Sequence, residues 1–152
     1  MSAIQVHDVA LCRPLLECAP VLRAGDLLLE DRGFIDGATL SHLKRKRRVD
    51  VIMPLKANML ATQEAIQLAE MAAQWEAHPS RANQRMALVY GVEHMWSECE
   101  VPLNACVIQF WNKKKKRTDH IVLVTTDRKL NASWIVRHYE ERPEIEQDYE
   151  QM

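Results

Sequence analysis

No CxxC pair occurs among the four cysteines, Cys12, Cys18, Cys99 and Cys106, and the six histidines show no tight partner spacing. Zinc sites built from cysteine and histidine need such spacing, so none is expected, and free thiols in a reducing compartment are the default. No apolar run approaches the ~20 residues that cross a bilayer, and the N-terminus lacks the apolar core of a signal peptide. Low-complexity tracts are missing too. These absences point to a folded, soluble, cytoplasmic chain. Its 152 residues, 47% hydrophobic and 27% charged, suit one domain with a real core.

Charge of one sign is also lacking in the total, which is −1. The distribution is less even. From Tyr139 to Met152 there are six acids and one base, which leaves 19 bases against 15 acids in the rest of the chain. Five bases run from Lys44 to Arg48 and five more from Lys113 to Arg117. A near-neutral average thus conceals two basic clusters and an acidic tail.

The stretch Leu27-Leu28-Leu29 ends in Glu30-Asp31-Arg32-Gly33-Phe34. Consecutive leucines closed by charges read as a short strand buried on both faces, as in the middle of a helix-covered sheet. Ligands of such sheets gather at the carboxyl ends of strands. Asp31 therefore stands either as a functional acid or as the cap of the next turn. Upstream, His7 to Cys18 reads as a helix disturbed by Pro14, and Arg23 to Asp26 as a turn. Downstream, a helix from Gly37 to Lys46 leads into a strand, Val49 to Pro54, and the strand–helix–strand order predicts a parallel crossover.

Ala61 to Trp75 has helical spacing. From Met86 the chain becomes β-rich, with runs Ala87–Val92, Asn104–Trp111 and His120–Thr126. The polar connection Asn112 to Asp119 predicts an antiparallel hairpin with Lys113, Lys114, Lys115, Lys116 and Arg117 at its tip, placed to meet a phosphate backbone. Trp96 and Trp111 are read as core, with stacking on a base as the alternative. A helix resumes near Ser133, capped by Asn131 or Ser133. In the tail, Tyr139, Arg142 and Glu146 fall at i, i+3 and i+7 and share one helix face. By spacing alone this face reads more readily as a solvated acidic helix with Arg–Glu pairs.

Asp31-Arg32-Gly33-Phe34, followed by the basic helix and the Val49–Pro54 strand with Leu55-Lys56-Ala57-Asn58, resembles the DDE transposases of bacterial insertion sequences. The tail resembles the Tyr-x2-Arg-x3-Glu-x6-Lys signature of the insertion-sequence-four family, whose lysine would fall one residue beyond Met152. The resemblance runs from about residue 7 onward. It implies an α/β, partial ribonuclease-H-like fold: a mixed sheet flanked by helices, with a β-rich insertion over roughly 86–126, in a single, truncated domain 1–152.

By position, the resemblance makes Asp31 the second and Glu146 the third acid of a catalytic triad, jointly holding two Mg2+ or Mn2+ ions. Hard carboxylate oxygens suit those cations, and an ion pair about 3.5–4 Å apart can activate the attacking oxygen and stabilise the leaving one. It makes Tyr139 and Arg142 contacts to transposon-end DNA, with Arg142 forking onto a phosphate. The implied partners are transposon-end and target DNA and a second copy or a full-length transposase, with no membrane. The implied location is cytoplasmic and nucleoid-associated.

The family's first aspartate lies on the opening strand of the sheet. Here only Asp8 and Asp26 precede Asp31; the first falls in the expected helix and the second in the turn, so neither fits. The expectation is a transposase piece without independent cleavage activity. The alternatives are a catalytically dead DNA- or partner-binding remnant and a generic α/β domain.

Overall fold

The computed structural model describes residues 3–6, 23–30, 36–72 and 74–141, with the backbone alone for 3–6, 30 and 72. The expected helix His7–Cys18, the residues Asp31, Arg142 and Glu146, and Cys12 and Cys18 lie outside the described residues.

Leu27–Glu30 forms β2, and its three leucines are 4% exposed or less. Leu28 belongs to one apolar cluster, while Leu27 and Leu29 belong to another on the opposite face. Alternating side chains explain this, since neighbours on a strand point to opposite sides. A strand that is apolar at every position is stable only between two covering layers, as the sequence implies.

The next described element is α1 (Gly37–His42), whose first turn is capped by Asp36, its carboxylate accepting from Thr39 N at 2.8 Å. The predicted helix then widens: Leu43–Arg47 is π-helical and ends on Arg48 in the left-handed region, φ 56° and ψ 39°. β3 (Asp50–Pro54) returns parallel to β2, pairing Leu28 with Val51, so the crossover is as expected. α2 spans Leu60–Ala72. It stops short of Trp75, which is instead half-buried against the core with the Arg85 guanidinium 4.3 Å above its ring.

The β-rich half supplies β4 (Glu76–Ala77), β5 (Arg85–Tyr90), β6 (Asn104–Asn112) and β7 (Arg117–Thr125). Asn131 caps α3 (Ala132–Glu140), its side chain accepting from Trp134 N. β1 (Ala3–Val6) was not foreshadowed by any pattern and pairs parallel with β2. The seven strands among the described residues form one sheet in the order β1-β2-β3-β7-β6-β5-β4, parallel through β3 and antiparallel beyond it. The β-rich segment is thus an extension of the same sheet, joined where β7 pairs with β3. Trp96 packs on the core as expected, but Trp111 does not: it is 58% exposed. Cys99 and Cys106 are free thiols. No helix among the described residues is long and apolar enough to cross a membrane.

Candidate nucleic-acid interface

β1, β2 and β3 run the same way and finish at Val6, Glu30 and Pro54. Asp31 directly follows the last residue of β2. β7 runs against β3 with Leu123 opposite Pro54, so Arg117 to Val122 continue past the end of β3. They stay paired to β6 throughout, from Val122 with Val107 to Arg117 with Asn112. At ~3.4 Å per residue, the β6–β7 hairpin overhangs the end of β3 by roughly 20 Å and, since Arg85 of β5 still pairs with Gln109, the end of β5 by roughly 10 Å.

The tip carries the predicted basic cluster. Lys113 to Lys116 form the turn and Arg117 opens β7, so the connection is shorter than the polar run suggested; all five are exposed. Asn112 explains the tight closure. Its Oδ1 accepts from Lys114 N and Lys115 N, both at 3.1 Å, and its Nδ2 donates to Asp119 Oδ2 at 3.2 Å. Lys116 takes φ 50°. Asp119 Oδ1 accepts from His120 N at 3.0 Å. That bond, the Asn112 amide and the nearby Arg117 and Lys115 hold its carboxyl below the usual carboxylate range. The turn thus presents bases outward on a frame its one acid helps to hold.

Behind the tip, Trp111 lies opposite Thr118 on the α2 side of the sheet, the side of Val107 and Val122. It borders a shallow groove of about 380 Å3 shared with Gln84, Arg85 and Gln109. Arg85 Nε donates to Gln109 Oε1 at 2.6 Å, so two of the groove's polar side chains are joined.

Tyr139 sits on the opposite face. α3 starts beyond the far end of β7 and runs back, so that Glu140 meets His78, the residue after β4. Tyr139 is half-buried there, beside a cavity of about 170 Å3 lined by Ile108, Ile121, Leu123 and Val136. Gln84 borders both this cavity and the groove of Trp111. The structure therefore brings the hairpin bases and Trp111 together and sets Tyr139 behind them.

Sequence reasoning missed the clamp on Glu140. His78 Nδ1 accepts from Ser80 N and Arg81 N, both at 3.1 Å, so its ring proton is on Nε2, which donates to Glu140 Oε1 at 2.7 Å. No local pattern connects residues 62 positions apart. Asp26 and Asp50 are placed at the amino ends of β2 and β3, away from the end that Asp31 follows. Asp26 closes its own turn, with Oδ2 accepting from Arg23 N at 2.9 Å. Among the described residues no group of three or more His, Cys, Asp or Glu could hold a metal.

Two comparisons return nothing: no curated protein and no solved structure matches the chain. The model of one protein family does match, over residues 2–152, and its description is transposase DDE domain.

Proposed function

Since the chain belongs to the transposase DDE domain family, we propose that it serves DNA transposition as part of a catalytic domain that cleaves and joins phosphodiester bonds at transposon ends. The α/β sheet with helices on both faces is consistent with the ribonuclease-H-like fold of that family. The observation that carries the reading is that the basic hairpin overhangs the same end of the sheet that Asp31 follows. A duplex held by Lys113–Arg117 would lie across the carboxyl ends of β2 and β3, where open sheets bind ligands.

Asp31 and Glu146 would hold the divalent metal. Their carboxylate oxygens suit Mg2+ or Mn2+, and the described residues offer no competing cluster. When bound, the metal supplies Lewis-acid stabilisation of charge on the phosphate oxygens. The chain's own residues do the rest. The hairpin lysines and Arg117 neutralise the flanking backbone, Arg142 clamps a phosphate through its planar fork, and Tyr139 and Arg142 carry the insertion-sequence-four signature. Trp111 offers an exposed ring beside the duplex.

Three measurements test this. Mn2+ binding, followed by water proton relaxation, should be lost in Asp31→Ala and in Glu146→Ala; unchanged binding in both would remove the metal assignment. Duplex binding by the variant with Lys113 to Arg117 all changed to Gln should weaken at least about tenfold, with a shallower salt dependence. Unchanged affinity would remove the hairpin assignment. The chain alone should not cleave DNA, since by sequence Asp8 falls in an expected helix and Asp26 in a turn; Mg2+-dependent cleavage lost in Asp31→Ala would overturn that.

A further inference from the structure

At the opposite end of the sheet, a groove of about 590 Å3 opens among Gly25, Lys44, Asp50, Pro102, Arg128 and Lys129. Its acids are committed. Asp50 Oδ1 accepts from Lys44 Nζ at 2.6 Å and from Thr126 Oγ1 at 2.9 Å, and Asp127 Oδ1 accepts from Lys129 N at 3.0 Å. Both carboxylates are turned inward, with 14% of the Asp50 side chain and 6% of Asp127 exposed. Arg128 and Lys129 line the groove and Arg48 adjoins it through the backbone of Gly25; all three are exposed and make no ion pair among the described residues. With both carboxylates turned inward, the charge this surface presents to water is that of its bases.

The backbone at this rim is unusual in the same place. Arg48 holds a left-handed conformation that favours glycine, directly after the π-helical turn. Gly25 N fixes it by donating to Arg48 O at 2.8 Å, which keeps the arginine beside the groove. An arginine thus occupies a position that glycine would adopt more easily.

We propose that this groove binds the phosphate backbone of a second stretch of DNA, separate from the one at the β6–β7 tip. The inference rests on the DNA-binding reading of the chain. The length of β3 plus the hairpin overhang separates the two basic surfaces by roughly 35 Å, several Debye lengths at physiological salt. Each therefore attracts phosphates independently, and a short duplex cannot satisfy both.

The test uses a duplex of about eight base pairs, with stoichiometry by sedimentation and affinity by anisotropy. It compares the wild-type chain, the groove variant Arg48→Gly/Arg128→Gln/Lys129→Gln, and the hairpin variant with Lys113 to Arg117 changed to Gln. The wild-type chain should bind two duplexes and each variant one. Arg48→Gly relieves the left-handed strain, so the groove variant should melt at or above the wild-type Tm. A groove variant that still binds two duplexes overturns the proposal. So does a wild-type chain that binds only one, lost in the hairpin variant. If instead the hairpin variant keeps two duplexes and the groove variant binds one, the groove stands and the hairpin assignment fails. Wild-type binding to phosphatidylglycerol vesicles that the groove variant loses, with its DNA stoichiometry unchanged, would assign the surface to lipid and overturn the proposal.

Discussion

His78 and Glu140 stand 2.7 Å apart, with the imidazole Nε2 donating to the carboxylate and Ser80 Oγ and Arg81 Nε closing on its other oxygen at 3.4 and 3.8 Å. The histidine side chain is 1% exposed. This contact ties the loop after β4 to the last turn of α3, immediately before the segment that carries Arg142 and Glu146.

Replacing His78 by Ala removes the acceptor of two part-buried backbone N–H groups and the donor to Glu140, whose side chain is 30% exposed. The expected loss is about 1–3 kcal/mol in urea unfolding. Glu140→Gln keeps an acceptor and should cost less. A His78→Ala protein of wild-type stability would show that the clamp contributes nothing.

Leu28 is fully buried in the cluster under α1 and α2. Leu28→Ala should destabilise the fold by about 2–5 kcal/mol, while Leu28→Met should cost under about 1.5. Chemical denaturation of both variants checks the order.

Asp119 titrates below the ordinary carboxylate range because His120 N, Asn112 and the nearby bases favour its charged form. A depressed folded value means that its support for the turn is present above the unfolded value and lost as pH falls through the folded one. Carboxyl NMR shifts should report this low titration, and Asn112→Ala should move it back toward the ordinary range. An unmoved titration in Asn112→Ala would remove the amide as a cause.

Cys106 is fully buried, and that burial pushes its thiol up from 9.0 to about 12. The raised value gives stability that is complete below about pH 9 and lost as pH rises toward 12. Native-state alkylation at pH 8 should therefore spare Cys106 until denaturant is added, as peptide mass spectrometry will show. Rapid native labelling would contradict the burial.

Much of this molecule was legible in local patterns. Three leucines in a row required a strand covered on both sides, and the structure divides them between two clusters. The β6–β7 hairpin and the Asn131 cap also follow from chemistry within a few residues, although Asn112 and Asp119 fall in the strands rather than in the connection. Trp111 was misread because β-rich sequence alone does not say how far a hairpin extends past its neighbours.

Residue type and short-range spacing, carried by the chain itself, determined which segments pair with water and which with apolar partners, and where its bases and candidate acids cluster. Only the tertiary structure decided that β1 flanks β2, that β7 docks on β3, and that the two basic runs face opposite ends of one sheet. Strand order and register are set by contacts between residues far apart in sequence. The free energy of those contacts depends on which surfaces the rest of the fold leaves to be covered.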